Sequence, residues 1–264
     1  IALTREGGGR VEWSNNDLIS GQEEFDQVVL ERCQLSNNNK PCSLLASGDA
    51  FAQNKDDFLV NFNNLIESPN SFDPMKIPGL IFHWRTYAND TYFPIEPGRF
   101  KAYAIGPYGN TAIGYSEHSQ AAATMRALVF CETLRNEGCA VYAEAGALIF
   151  DPGNPQYQPK QVLYSPSVFH PDTVPFVDKS KMTPFEKAYQ DIQEGKHVAI
   201  AFDKYGYYSI QTSNNPITQA QIEQTISDCT AKLPSTVNRE CFLYSLDDKI
   251  EMTWKSLNEA SHRF

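Results

Sequence analysis

The chain has few of the features that mark most functional classes. No apolar run approaches the roughly 20 residues that cross a bilayer as a helix, so no membrane insertion is expected. Positive charge is in deficit: 22 Lys and Arg face 32 Asp and Glu, a net charge of −10. That balance argues against nucleic acid and anionic membrane surfaces, which both require basic patches. Histidine is scarce, at five residues, and methionine scarcer, at four. There is no G-x-S-x-G, no H-E-x-x-H and no phosphate-cradling loop. Gly7-Gly8-Gly9 has no Lys-Ser or Lys-Thr after it and is read as a hairpin turn. No two cysteines have C-x2-C spacing, and no histidine recurs with them, so a zinc site is not indicated. No cofactor or metal is expected.

What the chain does have is six cysteines in three pairs: Cys33 with Cys42, Cys131 with Cys139, and Cys229 with Cys241. The first member of each pair recurs every 98 residues. Reduced core cysteines have no reason to repeat in pairs, so a disulfide within each pair is the expectation. Six cysteines nevertheless allow fifteen pairings. Closing such short loops stabilises by about 2–3 kcal/mol per bridge. Disulfides imply an oxidising compartment, here periplasmic or secreted. The start at Ile1, without Met and inside an apolar stretch, is read as a chain trimmed of its signal segment. Asn89-Asp90-Thr91 fits the glycosylation pattern, a weak signal alone.

The repetition extends around the cysteines. Ala2, Ala102 and Ala199 align, as do Gly9, Gly109 and Gly206. Each copy opens with a strand pattern, such as Val198 to Phe202, then a turn, then a second strand. The apolar period then changes to that of a helix: Phe25, Val28, Val29 and Arg32; Ala123, Ala127, Leu128 and Cys131; Ile222, Thr225, Ile226 and Cys229. Ser20 with Glu23, Ser119, and Thr218 are the expected caps. The second cysteine opens a third strand. The expected fold is α+β: three β-β-α-β units at 1–52, 101–151 and 197–254, each a small antiparallel sheet with one helix. Connectors at 53–100 and 152–196 wrap them, and 255–264 is a tail. The connectors resemble each other at Ile77-Pro78-Gly79-Leu80 and Val174-Pro175-Phe176-Val177. The first holds an amphipathic stretch from Phe58 to Ile66. The second ends in a helix from Pro184 to Gly195.

The run Lys101-Ala102-Tyr103-Ala104-Ile105, the turn at Gly109, Gly114-Tyr115-Ser116, the Ala-rich helix and Cys131 with Cys139 together resemble a known group. It is a family of small exported bacterial domains. They share a Lys-Ala-Phe-Ala strand, an Ala-rich helix ending in Cys and a Cys-x-Leu/Val-Tyr strand. The second unit matches best, the third well and the first in outline, over about 150 of the 264 residues. The resemblance implies an exported bacterial protein and carries no catalytic residue.

Two sets of residues are candidates for recognition. His83, Trp84 and Arg85 follow Phe82 in the first connector and can line a pocket; the plainer alternative is a packed connector with Trp84 in the core. Tyr108, Tyr115, Tyr205, Tyr207 and Tyr208 lie on or near the hairpins, where tyrosine offers contact area with a polar end. His118 begins the helix of the second unit without a counterpart in the others. His170 reads as a packed connector residue. Asp203, Asp247, Asp248 and Glu251 lack calcium-loop spacing and read as turn residues. The favoured function is a binding protein without catalytic activity, its partner a protein or small molecule. The alternatives are a hydrolase-type enzyme with a site between units, around His83 and His118, and a structural envelope or surface-assembly subunit.

Overall fold

The computed structural model describes residues 2–4, 9–10, 21–37, 42–44, 46–47, 50–51, 72–95, 98–106, 109–135, 138–150, 168–234 and 240–252. The Phe58 to Ile66 stretch, Ser20, Tyr108 and the 255–264 tail lie outside them. The fold is α+β. All three disulfides join the expected partners, Cys33–Cys42, Cys131–Cys139 and Cys229–Cys241, with Cα separations of 6.1, 6.1 and 5.9 Å. No described helix is long and apolar enough to cross a membrane.

Strands β1 (Ala2–Thr4) and β2 (Gly9–Arg10) precede helix α1 (Gln22–Ser36) and β3 (Cys42–Leu44), in the sheet order β2-β1-β3. A small hairpin follows, β4 (Ala46–Ser47) with β5 (Ala50–Phe51). The first connector then forms a 3-10 turn at Pro74–Lys76 and helix α2 (Phe82–Tyr92). Next come β6 (Phe100–Ile105), β7 (Thr111–Ser116), α3 (Gln120–Arg135), β8 (Ala140–Glu144) and β9 (Ala147–Leu148). Their sheet has the order β7-β6-β8-β9. The second connector supplies 3-10 turns at Pro171–Thr173 and Lys179–Lys181 and helix α4 (Thr183–Gln193). Then follow β10 (His197–Phe202), β11 (Tyr208–Ser213), α5 (Gln219–Thr230), β12 (Phe242–Leu246) and β13 (Lys249–Ile250). This sheet, β11-β10-β12-β13, has the same order as the one before it. In both, the central strand's pairing shifts register at the same place, between Tyr103 and Ala104 and between Ile200 and Ala201.

Local chemistry explains most of these boundaries. Ser119 Oγ accepts from the Ala122 amide at 2.9 Å, and Thr218 with Gln221 forms a capping box on α5. Gly21, not Ser20, is the N-cap of α1, and it makes no side-chain cap bond. Gly9 lies in β2 opposite Leu3, so it does not share the turn position of Gly109 and Gly206, whose φ angles are +74° and +84°. At those two turns a side chain is doubly disfavoured. A Cβ at Gly109 would sit 2.7 Å from the Gly79 carbonyl oxygen, and one at Gly206 would sit 2.6 Å from that of Phe176. Gly79 and Phe176 are the matched positions of the two Pro-containing connector motifs, so each connector presses its backbone on the hairpin turn that follows it.

The connectors are structural parts of the cores and do more than wrap them. Phe72 and Phe169 donate their amides to the turns after β8 and β12, at Gly146 and Asp248. Asp73 and His170 then cap the two 3-10 turns by accepting from the amide two residues on. Below them lie two large clusters. One joins Phe72, Ile77, Leu80, Ala88 and Tyr92 to Tyr103, Ile105 and Tyr142 of the sheet. The other joins Phe169, Val174, Val177, Phe185 and Ala188 to Ile200, Phe202 and Tyr244. On the opposite face of each sheet sits a smaller cluster around the disulfide: Ala102, Ala104, Ala123 and Ala127 with Cys131 and Cys139 in one, and Ala201 with Cys229 and Cys241 in the other.

Helices α1 and α3 serve two neighbours at once. The Val29, Leu30 and Cys33 face of α1 packs with its own cysteine pair, while Leu35 enters the core of the next sheet. Glu31, 1% exposed, accepts from the Gly79 amide at 2.5 Å and from Arg85 at 3.1 Å, tying α1 to the connector. In α3 the alanine face meets its own sheet and Val129 enters the core of the third. The expected helix faces are thus correct but incomplete. Helix α5 has no second neighbour among the described residues: Gln224, Ser227 and Asp228 are exposed.

The approach of α3 to its sheet depends on Gly114. A Cβ there would meet the Ala123 carbonyl oxygen and the Ala127 amide nitrogen, both backbone atoms, at 2.0 and 2.4 Å. Gly114→Ala is expected to destabilise the protein by about 3 kcal/mol, the upper end for overpacking against a rigid neighbour, read as a lowered urea midpoint. An unchanged midpoint would contradict this packing.

Candidate functional site

Two surfaces gather the candidate residues. The first is α2. Its inner side is fixed by Ala88 and Tyr92, both buried, and by Arg85 on Glu31. Tyr92 is held further by the Gly146 amide, which donates to its hydroxyl at 3.0 Å, and by Lys101 Nζ lying 4.6 Å from its ring. With that side anchored, helical geometry turns Phe82, His83, Trp84 and Tyr87 outward. Phe82 is 58% exposed, Trp84 46% and Tyr87 56%. The alternative in which Trp84 packs in the core does not hold: it stands on the helix surface. His83, Trp84 and Tyr87 form an edge-to-face chain, with centroid spacings of 5.4 and 5.7 Å. Such contacts hold exposed rings in one arrangement. Arg85 is separated from this group, because its guanidinium turns inward to Glu31.

The second surface is a cleft of about 300 Å³ between β7, α3 and the turn joining β10 to β11. Tyr115, 38% exposed, and Tyr205, 58% exposed, line it with Phe176. Arg126 lies 4.1 Å from the Tyr115 ring centroid, and Arg99 lies 5.7 Å from it on an ion pair with Glu117 at 3.0 Å. Tyr207 and Tyr208 are half-buried. Tyr208 packs on Phe185, with ring centroids 4.8 Å apart, so it belongs to the core margin and not to a recognition surface.

The four described histidines do not form a common site. His83 touches Trp84 on α2. His118 lies between β7 and α3, its Nδ1 2.9 Å from Ser116 Oγ and its Nε2 buried without a hydrogen-bond partner beside the Val177 backbone. His170 caps its own turn and meets Tyr189 edge-to-face. His197 pairs with Asp247 at 3.1 Å. Asp203 and Asp247 sit at different turns. Asp203 Oδ1 accepts from the Tyr205 and Tyr207 amides, and Asp247 Oδ1 from the Val198 amide. Among the described residues no group of three or more His, Cys, Asp or Glu could hold a metal ion.

The chain matches no family model, no curated protein and no solved structure.

Burial holds the His118 pKa below its ordinary value of 6.5, while the Val177 backbone, then Asp172 and Asp178, act in the opposite sense. The folded state therefore binds this proton less tightly than the unfolded chain. The penalty is absent above about pH 6.5 and grows as pH falls through that value toward the lowered folded pKa. The stability difference between wild type and His118→Asn, from urea unfolding, is expected to shift in favour of the variant from about pH 7 to about pH 5. A difference independent of pH would contradict the burial of this imidazole.

Proposed function

We propose that the chain is an exported, disulfide-stabilised binding protein without catalytic activity. In this reading it is built from three copies of one β-β-α-β unit, and it engages a protein partner through the outer face of α2. The exposed edge-to-face chain of His83, Trp84 and Tyr87, with Phe82 beside it, carries the proposal. Trp and Tyr dominate the binding energy of protein interfaces, and rigid aromatic anchors lose little entropy on binding. The rigid mounting, through the buried Glu31–Arg85 pair and Tyr92, supports the same view. Export is supported by the three disulfides and by the resemblance to exported bacterial domains. The repeat is supported by the shared strand order of two sheets and the recurring cysteine pairs. A hydrolase-type site between units would need His83 and His118 together, and they have separate surroundings.

The test uses the disulfide-intact protein as bait against the exported proteins of its source. Wild type is expected to retain a partner that the Trp84→Ser/Tyr87→Ser variant, folded by circular dichroism, retains at least tenfold less. Equal retention by both, or none by wild type, would reject the α2 surface.

A further inference from the structure

We propose that the cleft beside Arg126 is a second binding site, for a small organic carboxylate with a flat apolar body. It is independent of the α2 surface.

The argument begins with an unusual placement. Arg126 projects from the outer side of α3, the side that packs on the second connector. At the same distance before the first cysteine of its pair, α1 carries Val28, 2% exposed, and α5 carries the exposed Gln224. A seam position that takes a buried valine in one helix thus holds a guanidinium in another.

That guanidinium is poorly served by the protein. It is surrounded by three rings, those of Tyr115, Phe130 and Phe176, at 4.1, 5.5 and 5.9 Å. Its bond to the backbone is a long one, from Nη1 to the Tyr115 carbonyl oxygen at 3.5 Å, and its one side-chain hydrogen-bond partner is the Tyr115 hydroxyl, a neutral group. Its Nε is fully buried and has no partner. No described carboxylate reaches it within ion-pair distance; Glu117 pairs with Arg99, and Asp178, whose charge favours the guanidinium from beyond that distance, lies 3.9 Å from Lys181. Burying a cation without an anion is costly. Burial pushes its pKa below the ordinary arginine value, the same cost expressed as proton affinity.

The cleft offers what would offset that cost. It has about 300 Å³ of room, enough for one ring and its acid group. Lys204 lines it from the β10–β11 turn and Arg99, in its ion pair with Glu117, from just before β6, so two further cations face the same space. Tyr115, Phe176 and Tyr205 supply flat walls. A planar guanidinium favours a planar carboxylate, which can take two parallel hydrogen bonds. Rings alongside would cover an apolar body. The Asp178 and Glu117 carboxylates on the rim disfavour polyanions, which would meet both.

The experiment is calorimetric titration of the intact protein with benzoate, against benzamide as the neutral isostere and inorganic phosphate as the bare anion. Saturable benzoate binding is expected, with benzamide and phosphate each at least tenfold weaker. Arg126→Gln is expected to weaken benzoate at least tenfold. Lys204→Gln, which keeps the turn's Asp203 and Gly206 in place, is expected to weaken it about threefold, the scale of one partly exposed charge contact. Trp84→Ser/Tyr87→Ser is expected to bind benzoate as wild type does, which separates this site from α2. No saturation below 10 mM (about −2.7 kcal/mol), equal binding of benzamide, or unchanged affinity in both Arg126→Gln and Lys204→Gln would overturn the proposal.

Discussion

Everything else in this architecture follows from helices that must bury two faces. Helix α3 lays alanines on its own sheet and sends Val129 into the core of the next; α1 does the same with Val29, Leu30 and Leu35. A helix between two layers cannot show one clean apolar stripe, so both read as weakly amphipathic although they are among the most buried elements. The polar outer face of α5 fits the same rule. Among the described residues no further sheet packs on it, and Gln224, Ser227 and Asp228 face solvent.

The same constraint gives the disulfides their place. Each lies in the small cluster between a helix and its own sheet. Around Cys131 and Cys139 that cluster is mostly alanine, because Gly114 and the alanines bring the helix backbone close. Alanines bury little apolar area, so this face contributes little hydrophobic stabilisation. A covalent link from helix end to strand start makes up the difference. The larger aromatic cores carry no disulfide; they are filled instead by the connectors.

The cysteine pairing, the β-β-α-β order of the units and the inner helix faces were legible because they depend on local period and on exact recurrence; the closing strands β9 and β13, only two residues each, read as turns and make the last two sheets four-stranded. Helix α4 was also legible, through Pro184 near its start and Gly195 after its end. Helix α2 was not. Its sequence is rich in aromatic, β-branched and Asn or Asp residues, which are poor helix formers, and its N-cap Ile81 offers no side-chain bond. It is helical because Ala88, Tyr92 and Arg85 are held by the core and by Glu31, contacts far apart in sequence. For that reason Phe82 to Arg85 read as a cluster, whereas three dimensions divide it into an outer aromatic face and an inner ion pair. Tyr115 and Tyr205 were recognisable as hairpin residues, but Arg126 between them was hidden inside a helical pattern that it interrupts.

The two proposed surfaces differ in what mounts them. The α2 face rests on the first connector core, and the Arg126 cleft on the contact between α3 and the second. Both depend on neighbouring layers being held as one body. The most direct test is native-state hydrogen exchange on Val129→Ala. If α3 completes the core of the third sheet, the substitution lowers protection of the β10 and β12 amides along with that of α3, by about 2 kcal/mol for a buried truncation of this size. Lost protection confined to α3 and its own sheet, with β10 and β12 unchanged, would contradict the shared-helix account.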